Sequence, residues 1–210
     1  MSVRRARRLP LEELAPYLLE VPESPCPLEG QAIFGNDHPV EVEVGFGKGL
    51  FLVTAAQANA GVNFLGIEIA RKYQLFTATR LAKRRLANVR LAKADARAFL
   101  RDYVPAGTCR AVHVYFPDPW WKKRHLKRRV FTAEFAVQCE RVLQPGGRLH
   151  VVTDVQEYFA IIQDLVQQNT GLLPVTLGKT PDEADYLTNF ERKFRLQGKP
   201  IYRQAYERRA

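Results

Sequence analysis

Short apolar runs alternate with longer amphipathic stretches along residues 39–210, and this alternation predicts strands and helices in turn. The clearest helix runs from Phe131 to Val142, with apolar side chains spaced at close to one helical turn, and ends before Pro145. A second helix is predicted from Tyr73 to Leu86. The predicted strands are Val40–Val44, Val62–Ile67, Val89–Ala92, Ala111–Phe116 and Arg148–Thr153.

Strands that are separated by helices form βαβ units, and such units build a mostly parallel sheet with helices on both faces. We therefore expect one Rossmann-like α/β domain over residues 39–210. Residues 1–38 combine a basic cluster with prolines that are too closely spaced to allow long helices. This composition predicts an irregular N-terminal arm.

The charge balance narrows the class of partner. Among 210 residues, 32 Lys and Arg face 22 Asp and Glu, a formal net charge of +10. Such an excess attracts polyanions, so nucleic acid or an anionic membrane surface is favoured. The membrane reading is the weaker one, because the bases cluster in loops rather than along an amphipathic helix, and no stretch approaches the ~20 apolar residues that span a bilayer.

Cysteine and histidine usage predicts neither a disulfide framework nor a metal centre. The three cysteines are widely spaced and form no CxxC pair. The four histidines form no ligand constellation, and His113 and His150 alternate with apolar residues as ordinary strand positions do. Carboxylates after the basic cluster interrupt any secretory signal, so we expect a cytoplasmic protein.

A glycine-rich turn, Glu43-Val-Gly-Phe-Gly-Lys-Gly49, lies where the first strand gives way to a helix. This is the cofactor position of a doubly wound fold. The glycines stand at i, i+2 and i+4 instead of the i, i+2 and i+5 of the dinucleotide fingerprint. Lys48 precedes the last glycine, whereas the P-loop lysine follows it. NAD and P-loop nucleotides are disfavoured, and a tight turn without a ligand is the remaining alternative.

Carboxylates follow the successive strands. Glu68 ends the second strand, where an acid can accept both hydroxyls of a ribose. Asp95 follows the third strand, where it either accepts a hydrogen bond from an adenine amine or caps a helix. Glu43 adds negative charge that repels a pyrophosphate and suits a cationic sulfonium with an ammonium group. The pattern favours S-adenosylmethionine over a dinucleotide.

The segment after the fourth strand, Phe116-Pro-Asp-Pro-Trp120, is the most distinctive motif. Its two prolines fix the direction of Asp118, and a tryptophan offers a face on which a purine can stack. Six of the eight residues from Lys122 to Arg129 are basic. One interpretation is a charged stretch that is merely exposed to solvent. Its position beside the expected cofactor crevice instead favours base recognition next to phosphate binding.

Together these motifs resemble those of the bacterial TrmB-type tRNA (guanine-N7-)-methyltransferases. The resemblance implies a class I methyltransferase fold, with a seven-stranded, mostly parallel sheet whose last strand is antiparallel. It implies methyl transfer from S-adenosylmethionine to N7 of the guanine at position forty-six in the tRNA variable loop. It covers about residues 39–208 and rests on the glycine turn, Gly66-Ile-Glu68, Asp95-Ala96, Phe116–Trp120 with its basic tail, Thr153-Asp154 and Thr188-Asn-Phe-Glu191.

The resemblance also implies roles for single residues. From the chemistry of methyl transfer to N7, we expect Asp118 either to stabilise the positive charge that develops on the purine or to serve in binding alone, and Asp154 to bind the N1–H and amino edge of guanine. Asn189 and Trp121 depart from the family pattern, and the oligomeric state is left as monomer or homodimer. The implied cofactor contacts are Glu43, Gly45, Gly47, Gly49, Glu68, Asp95 and Asp118; the substrate contacts are Lys122, Asp154, Thr188, Asn189, Phe190 and Glu191; the RNA-binding residues are Arg124, His125, Leu126, Lys127, Arg128 and Arg129.

Two other functions stay open. An amino-group methyltransferase acting on adenine or glutamine also carries a proline-rich tetrapeptide after its fourth strand, but its prolines are adjacent. Here Asp118 separates Pro117 from Pro119, which favours guanine. A noncatalytic RNA-binding subunit with the same fold would bind no cofactor, and the three acids at strand ends argue against it.

Overall fold

A central β-sheet with helices on both faces organises residues 8–176 and 197–209, which are the residues that the computed structural model describes. The strands are β1 (Leu18–Leu19), β2 (Val40–Val44), β3 (Asn63–Glu68), β4 (Val89–Lys93), β5 (Cys109–Tyr115), β6 (Leu143–Thr153), β7 (Leu173–Val175) and β8 (Tyr202–Glu207). The α-helices are α1 (Leu11–Leu14), α2 (Gly30–Phe34), α3 (Leu50–Ala58), α4 (Arg71–Ala82), α5 (Ala96–Tyr103), α6 (Ala133–Val142) and α7 (Gln156–Asn169).

The strand order is β1-β4-β3-β2-β5-β6-β8-β7. Neighbours from β1 to β6 pair in parallel, whereas β8 runs antiparallel to both β6 and β7. This topology confirms the expected mostly parallel α/β fold with an antiparallel last strand. It also places the ends of β2, β3, β4, β5 and β6 along one edge of the sheet, hereafter the carboxyl edge.

The described sheet is one strand wider than the predicted seven. The extra strand, β1, comes from the segment predicted to be an irregular arm, and it pairs Leu18 with Leu91 of β4. The same segment buries Leu14 completely. Tyr103 fastens it further, since its hydroxyl donates to the Pro22 carbonyl at 2.8 Å. A few apolar side chains among prolines suffice for this docking, although the domain boundary at residue 38 stays a prediction.

Two apolar layers hold the helices to the sheet. On one face, side chains such as Phe99, Phe135 and Leu149 join α5, α6 and α7 to the strands. On the other face, residues such as Phe64 and Leu81 pack with α3 and α4. Each such side chain contributes about 1.5 to 3 kcal/mol when it is fully buried. No helix in the described part of the chain is both long and apolar enough to cross a membrane.

Candidate functional site

The turn between β2 and α3 depends on three glycines. Gly45, Gly47 and Gly49 have φ angles of 73°, 50° and 61°, in the left-handed region that disfavours side chains. Gly49 is also crowded, because a Cβ there would lie 2.2 Å from Thr77 Cγ2. The Thr77 hydroxyl donates to the Gly47 carbonyl at 3.2 Å. The turn is therefore pressed against α4, with its backbone at the carboxyl edge.

Glu68 is joined to the same turn. Its Oε2 accepts a hydrogen bond from the Gly47 N–H at 3.0 Å, and its Oε1 accepts one from the Ala70 N–H at 2.9 Å. A carboxylate has roughly four lone-pair positions, so two remain for further donors. The carboxylate is thus fixed in direction while it keeps the capacity to accept both hydroxyls of a ribose.

Glu43 lies one strand away and is only 4% exposed. Its Oε2 has no hydrogen-bond partner among the described residues. Burial, with the nearby charge of Glu68 as a second cause, raises the pKa of Glu43 to about 8. A buried carboxyl oxygen without a partner is costly, and a cationic ligand can relieve that cost. The acids and the glycine turn thus fit S-adenosylmethionine, which combines a ribose with an ammonium and a sulfonium.

Asp95 caps α5. Its carboxylate accepts a hydrogen bond from the Arg97 N–H at 2.9 Å and forms an ion pair with the Arg97 guanidinium at 2.8 Å. Hydrogen bonding to Arg97 holds the pKa of Asp95 below its usual range, although partial burial opposes this. Arg97 also donates to the Lys127 carbonyl at 3.1 Å. It therefore joins Asp95, on the cofactor side of the carboxyl edge, to residues 122–129, hereafter the basic segment. Sequence reasoning missed this link, because nothing at position 97 marks a partner so far along the chain.

The loop after β5 contains two bulky residues in left-handed conformations, Phe116 with φ of 51° and Trp120 with φ of 42°. Such backbone costs on the order of 1 to 3 kcal/mol per residue and persists only where the surroundings impose it. Here the Phe116 N–H donates to the Val152 carbonyl at 2.7 Å, and Arg129 Nε donates to the Pro119 carbonyl at 2.6 Å. The strained loop presents Asp118 at the protein surface.

Arg129 is an anchor of this loop. Its guanidinium lies 5.2 Å from the ring centres of both Trp121 and Tyr158, within the range of cation–π attraction. The two rings contact each other edge-on at 6.3 Å. Burial raises the pKa of Tyr158 to about 12, so its ring meets Arg129 as a neutral phenol. The structure shows the Arg129 side chain in contact with the loop, and the predicted binding of RNA by Arg129 stays a prediction.

The remaining residues of the basic segment are more open. A 3₁₀ helix covers Lys123–Arg128, and Lys122 precedes it. The Arg128 guanidinium lies 5.2 Å from the centre of the Trp120 ring, which also meets His125 edge-on. Exposed positions in this segment are Lys122, Arg124, Leu126, Lys127 and Arg128. The segment therefore offers cations to a partner beside Asp118.

Asp154 follows β6, the strand next to β5 in the sheet. Tyr115 pairs with Val152, so Asp118 and Asp154 both follow the same end of neighbouring strands. The turn at Asp154 is closed by the Thr153 hydroxyl, which accepts a hydrogen bond from the Val155 N–H at 3.3 Å. The other predicted substrate contacts, Thr188, Asn189, Phe190 and Glu191, lie outside the described residues.

A buried polar network lies beside Glu43 and was also missed from the sequence. Glu41 contacts the Arg110 guanidinium at 2.6 Å and His113 Nε2 at 2.9 Å. Burial alone would raise the pKa of Glu41, but its two partners outweigh that effect and lower it to about 2. His150 stacks on His113 at 4.9 Å, and burial lowers its pKa to about 3. Within the described residues, no group of acids, histidines and cysteines could hold a metal ion.

The topology and the glycine turn with its ribose-type acid define a class I S-adenosylmethionine-dependent methyltransferase. A family model described as "Putative methyltransferase" matches residues 37–204. The chain belongs, more particularly, to the family of tRNA (guanine-N(7)-)-methyltransferases. The relative of that name in Rhodopirellula baltica is 44% identical over 202 residues, which cover 91% of this chain and 74% of the relative.

Further comparisons agree with this assignment. A tRNA (guanine-N(7)-)-methyltransferase from Geobacter metallireducens is 33% identical over 95% of this chain and 96% of its own length. Among solved structures, the 16S rRNA methyltransferase KamB aligns over 86% of this chain and 93% of its own, with a TM-score of 0.58 and 18% identity. At 18% identity, the similarity to KamB shows the fold alone.

Proposed function

We propose that this protein transfers the methyl group of S-adenosylmethionine to N7 of the variable-loop guanine, position forty-six, of tRNA. Family membership supports the reaction class. The observation that carries the proposal is the meeting of two opposite environments at one sheet edge. Acids surround the glycine turn, and cations line the segment after Asp118.

The cofactor half of the site uses residues from three neighbouring strands. Glu68 accepts the ribose hydroxyls, the glycine turn lets the ligand approach the backbone, and Asp95 lies at the adenine side. Burial raises the pKa of Glu43 to about 8, so Glu43 holds a proton at neutral pH, and a cationic ligand bound beside it would favour the ionised carboxylate. When bound there, S-adenosylmethionine supplies an electrophilic methyl group on a positively charged sulfur.

The substrate half needs no strong base. Guanine N7 carries a lone pair in the ring plane at neutral pH, so no proton has to leave before the attack. Holding the two reactants in line can account for several kcal/mol of the barrier reduction. As positive charge appears on the purine, the Asp118 carboxylate stabilises it. Asp154 accepts hydrogen bonds from the N1–H and amino groups and so selects guanine.

The exposed cations of the basic segment hold the RNA. Lys122, Arg124, Lys127 and Arg128 are available to phosphates, while Arg129 keeps the loop in shape. Arg97 contacts both Asp95 and the Lys127 carbonyl, so the adenine side and the RNA side share one support. Phosphate contacts of this kind position the substrate, and the contacts to the base select it.

The test incubates the purified chain with labelled S-adenosylmethionine and unmodified tRNA, then maps N7-methylguanosine by borohydride and aniline cleavage. The wild type should give cleavage at the variable-loop guanine. Asp118→Asn should lower turnover by about a hundredfold when tRNA and cofactor are both saturating. Asp164→Asn makes the same chemical change at an exposed position of α7 and should have no effect.

Three results would contradict the proposal in different ways. Label on another nucleotide would overturn the choice of guanine. Failure to bind the cofactor in calorimetry would instead support the noncatalytic subunit. Loss of tRNA affinity alone in Asp118→Asn would make Asp118 a recognition residue and remove its part in charge stabilisation.

A further inference from the structure

A second basic surface lies along α4, which follows β3, whereas the Lys122–Arg129 segment follows β5 on the other side of β2 in the sheet. It encloses a concavity of about 490 Å³ that we call the α4 groove. Five cations line the α4 groove, and none of the described residues that line it is an Asp or Glu. These cations are Arg8, Lys72, Arg80, Lys83 and Arg84.

The cations of the α4 groove are arranged by helical spacing. Lys72, Phe76 and Arg80 follow one another at intervals of four positions, so they share one face of α4, and Lys83 and Arg84 lie in the turn that follows its last residue, Ala82. From Lys72 to the end of α4 at Ala82, the helix rises ~15 Å. No Asp or Glu occurs between residues 71 and 90, so nothing in this stretch of sequence neutralises the charge.

The like charges in the α4 groove are held close together by the fold. Arg80 Nη1 donates to the Lys48 carbonyl in the glycine turn at 2.6 Å, and Arg84 Nη1 donates to the Arg80 carbonyl at 3.1 Å. Burial, and then the charge of Arg84, lower the pKa of Arg80. Arg8 adds a further cation from the N-terminal segment. A bound polyanion would relieve this mutual repulsion.

The shape and position of the α4 groove favour an RNA backbone as its occupant. A line of separated cations matches successive phosphates on a strand, and Phe76, 40% exposed in its midst, offers an apolar face to a sugar or a base. The groove starts at Lys72, four positions after Glu68, beside the carboxyl edge. An RNA engaged at Asp118 can therefore continue past the cofactor site onto α4.

We infer that the α4 groove binds the phosphate backbone of the substrate tRNA, as a second contact surface separate from the basic segment. This inference rests on the proposed function for the identity of the RNA. It assigns the groove to affinity and leaves the chemical step to the residues at Asp118. Removing groove cations should therefore weaken binding without slowing methyl transfer at saturating tRNA.

The experiment compares the wild type with the double variant Lys72→Gln/Arg84→Gln, using an unmodified tRNA transcript between about 50 and 200 mM salt. The variant should bind tRNA about tenfold more weakly, and the slope of log affinity against log salt should fall by about 1.5. KM for tRNA should rise with kcat unchanged. The control Arg148→Gln/Arg209→Gln removes the same charge away from the carboxyl edge and should change none of these quantities.

The outcomes separate this inference from the proposed function. Unchanged affinity and salt slope in the groove variant would overturn the inference, even if the wild type methylates tRNA. Tighter groove-dependent binding to anionic phosphatidylglycerol vesicles than to tRNA would overturn it in favour of a membrane. A wild type that binds the transcript and leaves guanine unmethylated would contradict the proposed function and leave the groove assignment standing.

Discussion

The two halves of the carboxyl edge are held in place by different kinds of interaction. On the cofactor side, the Glu68 carboxylate accepts hydrogen bonds from the main-chain N–H groups of Gly47 and Ala70, and the Thr77 hydroxyl fixes the glycine turn to α4. On the RNA side, the contacts that hold the loop around Asp118 include the hydrogen bond and the two cation–π contacts of one side chain, that of Arg129. The first half is held by hydrogen bonds between side chains and main-chain groups, whereas the second depends in part on the cation–π contacts of one arginine, which a single substitution removes.

The two halves also differ in charge. Glu43, Glu68 and Asp95 make the cofactor side acidic, and the exposed residues between Lys122 and Arg128 make the RNA side basic. The overall charge of +10 conceals this division. A cationic cofactor and an anionic RNA are thus attracted to different charged groups at the same edge of the sheet.

Gly49→Ala should have the largest effect, and it tests how rigid the cofactor half is. An alanine there combines an unfavourable φ of 61° with a Cβ only 2.2 Å from Thr77. We expect a loss of roughly 3 to 5 kcal/mol of unfolding free energy, measured by denaturant titration, with cofactor binding abolished in calorimetry. Gly107→Ala, at φ of 71° with nothing within 4 Å, isolates the backbone term and should cost about 1 kcal/mol. Equal losses would show that the turn is not packed as described.

Glu43→Gln tests the electrostatic cost of the acidic half. Because the pKa of Glu43 is raised from 4.5 to about 8, the folded state keeps a proton that the unfolded state loses in that window. The unfolding free energy contributed by Glu43 therefore falls as pH rises from 4.5 to about 8. The variant should match the wild type at low pH and be more stable at high pH, by up to about 1.4 kcal/mol for each unit by which the pKa is raised. Thermal unfolding across pH measures this, with exposed Glu134→Gln as the control; a difference independent of pH would contradict it.

Arg129→Lys tests the side-chain half and should have the smallest effect. Lysine keeps the charge but loses the planar stacking on Trp121 and Tyr158. We expect kcat/KM for tRNA to fall about tenfold and stability to fall by about 1 kcal/mol, with cofactor affinity unchanged. The control Arg209→Lys makes the same change at an exposed arginine outside the site and should have no effect. A rise in KM alone would contradict this expectation and support the RNA-binding role that the sequence predicts for Arg129.

Much of the architecture could be predicted because strands and helices leave periodic patterns of apolar residues over short stretches of sequence. The bounds of β2 agree with the predicted Val40–Val44. Glu68 ends β3 and Asp95 follows β4, so both acids lie at strand ends as predicted. Helical spacing located α6 to within two residues at its start. Such features need only neighbours in sequence, which is why reading the chain in order recovers them.

The missed features join residues that are far apart in the chain. Arg97 contacts the Lys127 carbonyl 30 positions away, and His113 contacts Glu41 at a separation of 72. The left-handed backbone at Phe116 and Trp120 is imposed by the contacts around the loop, since neither residue type favours it. The predicted roles of Asp118 and Asp154 stay predictions, because a role depends on ligands as well as on position.

The short strand β1 has a consequence for self-association. An edge strand presents a row of open N–H and C=O groups that can template pairing with another chain. Leu18 and Leu19 occupy that row on β4, and Pro22 follows soon after, where it cannot extend the ladder. The N-terminal segment thereby covers part of the β4 edge and limits its pairing with another chain. This effect is independent of any contact with RNA.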